Sequence, residues 1–174
     1  WATVPRYVFP CYSGREFNAT ELKFLASFPL VVLCHGYRTA DNHTVFAEDA
    51  MAITARKLAK LSPSTGVLFY INSALDYQDY EYHHKLLQRP DLWLRWGPGR
   101  NAGVPYYINC IGCPITNFAS QAGRDFFIAE YINATRRHDA APVFAGLFAD
   151  RASGAPTGCE NETVRSQRRA SFRL

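Results

Sequence analysis

Four polar residues directly follow four short apolar runs, and their side chains are of types that bind ligands or transfer protons. They are His35 after residues 30–34, Asn72 after 67–71, Asn109 after 104–108 and Asp150 after 146–149. Successive polar ends are 37, 37 and 41 residues apart. If the runs are neighbouring parallel strands, their carboxyl ends share one edge, which is where such sheets bind ligands. The pattern therefore predicts that these side chains face a common cleft.

Asp150 and Asp76 are the candidate catalytic residues. A carboxylate at a strand terminus can act as a general acid, a general base or a nucleophile. Asp76 lies after the second apolar run, in a segment where acidic residues alternate with Tyr77, Tyr80 and Tyr82. Aromatic rings beside carboxylates suit sugars, because sugars combine apolar faces with hydroxyl edges. The alternative is that two of these acidic residues, Asp79 and Glu81, only place negative charge at the start of a helix.

The candidate substrate-binding residues are polar or aromatic and lie at the predicted strand ends or in the segments that follow. They are His35, Tyr70, Asn72, Trp93, Arg95, Asn109 and Arg151. Trp93 and Trp96 flank Arg95, and the two indole rings either line a sugar subsite or fill the outer core. Arg151 directly follows Asp150 and either assists that carboxylate or caps a helix.

Motifs of several other chemistries are absent from the sequence. No Gly-x-Ser-x-Gly accompanies Cys34-His35-Gly36, so an esterase of the α/β-hydrolase type is only a distant alternative. No Gly-x-Gly-x-x-Gly or Walker loop is present, and no cofactor is predicted. Cys110 and Cys113 have the spacing of half a zinc site, but a second ligand pair is missing and the His83-His84 pair is adjacent. No metal site is predicted.

Composition and charge exclude two further classes. The chain has 174 residues, of which 48% are hydrophobic, enough for one folded domain. The net charge of +4 equals the charge of the four arginines in residues 164–174, so the remainder of the chain has a formal net charge of zero. This balance, and the mixing of aromatic with acidic residues, argue against a nucleic-acid partner. The longest nearly apolar run, Phe24 to Cys34, is shorter than the roughly 20 residues of a membrane span.

Sequons and cysteines predict a secreted, extracellular glycoprotein. Four Asn-x-Thr sequons are present, at Asn18, Asn42, Asn133 and Asn161, where chance would give about one. The five cysteines favour a structural disulfide in an oxidising compartment, and their odd number leaves one unpaired or bonded to another chain. Because the sequence begins at Trp1 without a signal-type segment, we expect a processed form or a fragment.

Helical segments separate the apolar runs. They cover residues 45–61, 79–89 and 120–137. The resulting order is βαβαβαβ, and crossovers of this length build a parallel sheet. We expect an α/β fold that forms about half of a (β/α)8 barrel, with an open doubly wound sheet as the alternative. Another copy, or a C-terminal half, would complete such a barrel. The expected organisation is an N-terminal extension over 1–27, a half-barrel domain over 28–152 and an irregular basic tail over 153–174.

Several segments carry a resemblance to a known family: residues 69–77 (Phe-Tyr-Ile-Asn-Ser-Ala-Leu-Asp-Tyr), 89–95, 117–120, 124–127 and 146–152. They resemble the corresponding segments of glycoside-hydrolase-like TIM-barrel proteins. The resemblance extends over residues 28–152 and implies a secreted barrel that acts on or binds sugars, with Asp150 at the expected acidic position. The chain departs from the family at Asn117, where Asp is usual, and the second half of the barrel is not present in the sequence.

Two functional hypotheses follow. The first is an O-glycosyl hydrolase whose carboxylate at the fourth strand end, Asp150, acts on glycosidic bonds. The second is a non-catalytic extracellular glycoprotein that uses the same scaffold for carbohydrate binding or structural assembly. The Asn and Asp strand ends favour the first hypothesis, whereas the length, the odd cysteine and the dense sequons favour the second.

Overall fold

The computed structural model describes residues 6–10, 16–34, 45–73, 76–106, 114–136 and 143–150. The strands in these ranges are β1 (Tyr7–Val8), β2 (Leu30–Leu33), β3 (Gly66–Asn72) and β4 (Gly146–Asp150). The helices are α1 (Ala19–Leu25), α2 (Ala47–Leu61), α3 (Glu81–Leu87) and α4 (Gln121–Thr135), with a 3-10 turn over Pro90–Leu92. No helix within these ranges is both long enough and apolar enough to cross a membrane.

The strands form one sheet in the order β1-β2-β3-β4. β1 pairs with β2, and β2 with β3, in parallel. Backbone hydrogen bonds join Ala145 to Val67 at 2.8 Å and Ser73 to Asp150 at 3.0 Å. Because the residue numbers rise together on both sides, β4 is also parallel to β3. The predicted α/β fold with a parallel sheet is confirmed.

Burial explains why the predicted apolar runs became strands. Val31, Val32 and Leu33 of β2 are at most 1% exposed, as expected where helices cover both faces of a parallel sheet. β4 instead alternates between half-buried and exposed residues, and Leu147 is 44% exposed. The runs at 30–34, 67–71 and 146–149 are thus observed as β2, β3 and β4.

One predicted strand differs from the structure. In the run at 104–108, the described residues end at Tyr106, and Pro105 makes an isolated antiparallel bridge to Arg95. Proline has no N–H to donate, so it is poorly suited to a central parallel strand. The fourth strand of the sheet is β1, inside the predicted 1–27 extension, and its two residues are too few to give a periodic signal. The tail at 153–174 lies outside the described residues.

Helix ends follow from local hydrogen bonding. Asn18 caps α1 through a reciprocal pair of bonds with Glu21. The Ser120 hydroxyl accepts a 3.0 Å hydrogen bond from the Gly123 N–H and so caps the N-terminus of α4. α2 begins after Phe46, whose side chain makes no capping hydrogen bond.

The chain divides into two compact units. The first comprises described residues within 1–71, 79–81 and 132–148, and the second those within 72–78, 82–131 and 149–174. In the first unit, the buried Phe69 makes edge contacts with the rings of Tyr80 and Phe144. In the second unit, antiparallel bridges follow α3, and a small core forms from Leu94, Tyr106 and Ile115, with Trp96 packed against it.

Candidate functional site

A small cleft in the second unit begins at the last residue of β3, and we call it the strand-end cleft. It is lined by Asn72, Ser73, Asp76, Tyr82, Ile115, Thr116, Phe118 and Phe127. Polar side chains from the strand end and the following segment face aromatic and aliphatic side chains from α3, α4 and the segment before α4. The enclosed space of the cleft is about 10 Å³, roughly the room that one water molecule needs. A sugar would therefore contact the groups at the open mouth of the cleft rather than enter it.

Hydrogen bonds from two successive residues fix Asp150 at the edge of this site. Asn72 is 5% exposed, and its side-chain Nδ2 donates to Oδ2 of Asp150 at 3.1 Å. The Ser73 N–H and hydroxyl both donate to the Asp150 backbone carbonyl at 3.0 Å. The Asp150 carboxylate is therefore oriented by an amide that itself lines the strand-end cleft.

Asp76 forms a buried pair with His83. The His83 Nδ1 atom lies 2.6 Å from Oδ2 of Asp76, and each residue is only 6% exposed. Burial of a carboxylate is costly unless a donor compensates for the lost water. The contact comes from the buried side of α3, which also carries Tyr82 and Leu86.

Tyr82 places a neutral hydroxyl in the strand-end cleft. Its hydroxyl hydrogen-bonds the Thr116 hydroxyl. Burial raises the pKa of Tyr82 well above its ordinary range, the Thr116 hydrogen bond opposes this rise, and the negative charges of Asp76 and Glu130 add to it. The Tyr82 ring also stacks on Tyr131, with centroids 5.1 Å apart. Tyr82 therefore remains a hydroxyl group, able to donate or accept, throughout the ordinary pH range.

Three predicted site residues come together here: Asn72 and Asp76 line the cleft, and Asp150 is hydrogen-bonded to Asn72. Tyr70 lies in the first unit, where it is 3% exposed and its ring contacts Phe9 and Phe148. This packing gives Tyr70 a structural role in the described core.

Trp93 and Arg95 lie in the second unit but not in the lining of the strand-end cleft. The Trp93 Nε1 donates to the Leu86 carbonyl at 2.8 Å. The guanidinium of the exposed Arg95 donates to the carbonyls of Gly103 and Pro90. Both side chains therefore link separate backbone segments by donating hydrogen bonds to their carbonyl groups.

Several predicted residues have no described position. They are His35, Asn42, Asn109, Arg151 and Asn161. The sequons at Asn18 and Asn133 are at exposed positions. Cys34 is buried, and the other four cysteines lie outside the described ranges, so the disulfide stays a prediction.

The sequence did not predict His83, Ser73 and Thr116 as site residues. It also did not predict that Phe118 and Phe127 line the cleft. His83 was considered only with His84 as a poor metal-ligand pair. A stronger signal was available, because Tyr82, His83 and Leu86 lie on the buried side of one short helix, directly after the acidic segment. Among the described residues, no group of three or more His, Cys, Asp or Glu side chains is arranged to hold a metal ion.

The fold and the site together define an α/β protein with carboxylates and amides at the carboxyl ends of parallel strands. No protein-family model and no curated protein matches the chain. Among solved structures, the glycoside hydrolase domain of PelA from Pseudomonas aeruginosa is similar, with a TM-score of 0.50 and 12% sequence identity. The match covers 95% of this chain and 50% of that chain, so this chain spans about half its length. At this identity the similarity concerns the fold alone, and it supports the expected glycoside-hydrolase-like fold.

Proposed function

We propose that this chain is a secreted, carbohydrate-active protein that acts on glycosidic bonds through Asp150 and Asp76. The observation that carries the proposal is the position of Asn72. This residue lines the strand-end cleft together with Asp76 and donates a hydrogen bond to Asp150. One buried amide thus lies in the same lining as Asp76 and is hydrogen-bonded to Asp150.

The chemistry of glycoside cleavage matches this arrangement of groups. Two carboxyl groups are needed, one to protonate the leaving oxygen and the other to act as nucleophile or to activate water. Asp76 is hydrogen-bonded through Oδ2 to Nδ1 of His83, and with a proton on its other oxygen, Oδ1, it is the candidate proton donor. Asp150 is oriented by the Asn72 amide and is the candidate nucleophile or base.

The groups at the mouth of the strand-end cleft are of the types that bind a sugar ring. The aromatic side chains of Tyr82, Phe118 and Phe127 can pack against the apolar face of a ring. The amide of Asn72 and the hydroxyl of Thr116 can bond hydroxyl groups at its edge. Of the other predicted substrate-binding residues, Trp93 and Arg95 would serve only a further subsite, and His35, Asn109 and Arg151 remain predictions.

The test is hydrolysis of a panel of aryl glycosides by the full chain and by Asp150→Asn and Asp76→Asn. Each variant should lose roughly 10²–10⁴-fold in turnover, because loss of a positioned acid or base removes its contribution to the transition state. Asp91→Asn is the matched control, since Asp91 is an exposed carboxylate paired with Arg89 outside the cleft. Unchanged turnover of Asp150→Asn would remove Asp150 from the mechanism.

A non-catalytic extracellular glycoprotein for carbohydrate binding or assembly is the second candidate. It is favoured by the small volume of the cleft and by the exposed sequons at Asn18 and Asn133. In this role, another copy or a C-terminal half would complete the barrel. The same panel separates the candidates: this function predicts sugar binding that Asp76→Asn weakens, with no turnover by the unmodified chain.

A further inference from the structure

We propose that His83 is a positioning residue for Asp76, and that it holds this carboxyl group in the orientation the strand-end cleft requires. The inference rests on the proposed function for the role of Asp76. The structural relation between the two side chains can be tested without any activity. His83 was not among the site residues predicted from the sequence.

The geometry of the pair carries the proposal. Nδ1 of His83 and Oδ2 of Asp76 are 2.6 Å apart, within the range of charge-assisted hydrogen bonds. The two side chains are 8% and 4% exposed, so bulk water does not compete for this contact. Asp76 lines the strand-end cleft, whereas His83 does not. His83 therefore acts on a ligand only through Asp76.

The two residues differ in how firmly the backbone holds them. His83 lies within the helix α3, and α3 is tied to the next segment because the Trp93 Nε1 donates to the Leu86 carbonyl. Asp76 lies in the non-helical segment between β3 and α3. A contact from a fixed helix to a side chain on an irregular segment restricts the rotamer of that side chain. This is how a neighbouring donor sets the orientation of a reactive carboxylate.

The hydrogen bond also defines which ring nitrogen carries the proton. An ionised carboxylate only accepts hydrogen bonds, and a carboxyl group protonated on Oδ1 still accepts through Oδ2, so in both states the contact requires a proton on Nδ1 of His83. The Nδ1-protonated form is the less common neutral tautomer in water. It therefore provides a spectroscopic signature of the pair.

The first experiment is a ¹⁵N-edited NMR spectrum of the histidine rings in the full chain and in Asp76→Leu. We expect His83 in the Nδ1-protonated form in the unmodified chain, and a change of its ring nitrogen shifts in Asp76→Leu. The exposed His84 should keep its shifts. A His83 ring protonated only at Nε2, or shifts that do not respond to Asp76→Leu, would overturn the proposal whether or not the chain cleaves sugars.

The second experiment compares His83→Asn with His83→Leu in the aryl-glycoside assay. Asn places an amide N–H near the position of Nδ1, whereas Leu removes the donor. We expect His83→Leu to lose roughly 10²-fold in kcat and His83→Asn to recover most of that loss, because small misplacements of a reacting group are costly. His84→Leu is the control on the same helix and should retain its turnover.

The outcomes separate the two proposals. Equal losses in His83→Asn and His83→Leu, with both variants folded, would contradict a positioning role. Absence of turnover in the unmodified chain would refute the catalytic function, and the NMR signature would still decide the His83–Asp76 relation.

Discussion

At the residue scale, Tyr82 shows how burial fixes the chemistry of the strand-end cleft. Its hydroxyl is engaged by Thr116, and its ring is enclosed by Phe126, Phe127 and Tyr131. Burial is the main cause of its raised pKa. The folded protein thus keeps a proton on Tyr82 under alkaline conditions in which an unfolded chain loses it.

This difference predicts a specific loss of stability at high pH. The contribution of Tyr82 is fully present below the ordinary tyrosine pKa near 10 and is lost as the pH rises towards the higher folded value. Above pH 10, the free energy of unfolding of the unmodified chain should fall more steeply than that of Tyr82→Phe, by up to about 1.4 kcal/mol per pH unit. Urea unfolding at several alkaline pH values measures both slopes, and parallel slopes would contradict a buried, neutral Tyr82.

Single residues also show what the sequence could predict about the site. Asn72 and Asp150 were predicted because each ends an apolar run, and the hydrogen bond between them shows that these two strand ends lie side by side. His83 was not found, because its partner is set by the turn of the chain between β3 and α3. No periodic pattern encodes such a turn.

At the element scale, the start of α4 depends on a close approach at Gly123. A Cβ at this position would collide with the Asn117 carbonyl oxygen and lie 3.0 Å from the Ser120 hydroxyl. The same carbonyl accepts hydrogen bonds from the N–H and the hydroxyl of Ser120. These two hydrogen bonds hold the Asn117 carbonyl close to the first turn of α4, which leaves no room for a side chain at position 123.

Gly123→Ala should consequently destabilise the protein, although Ala is the better helix former by about 1 kcal/mol. The expected loss is about 1–3 kcal/mol in the free energy of unfolding, because backbone atoms must move. Gly146→Ala is the matched control, since its nearest neighbour is a Leu68 methyl group at 3.4 Å, and it should change stability by less than about 1 kcal/mol. Urea unfolding of both variants is the measurement, and an equally or more stable Gly123→Ala would refute the close approach at this position.

Helices and strands could be predicted from the sequence where the pattern of buried apolar residues alone determines the secondary structure. β2 and β3 are continuous apolar runs with buried residues on both faces, and α2 is an alanine-rich helix with Met51 and Leu58 fully buried. The run at 104–108 has the same composition, but Pro105 and a pairing with Arg95 place its described part in an antiparallel arrangement. Local composition does not specify which strand is the partner.

At the scale of the whole molecule, the parallel order of the strands makes the candidate site possible. The similarity to the PelA glycoside hydrolase domain spans nearly all of this chain and half of the other. The similarity supports the fold, whereas the proposed activity depends on Asn72, Asp76 and Asp150 in this chain. Their burial and hydrogen bonds are properties of the folded chain that composition alone could not supply.

The central claim is that a sugar ring binds at the mouth of the strand-end cleft, and methyl NMR of the full chain tests it directly. Ile115 and Thr116 line the cleft, whereas Ile128 is 51% exposed on α4 and serves as an internal control. During titration with the methyl glycosides of common hexoses and N-acetylhexosamines, at least one sugar should shift the Ile115 and Thr116 methyl signals saturably and leave Ile128 unchanged. If every sugar leaves both cleft signals unmoved, or moves only Ile128, the claim is contradicted.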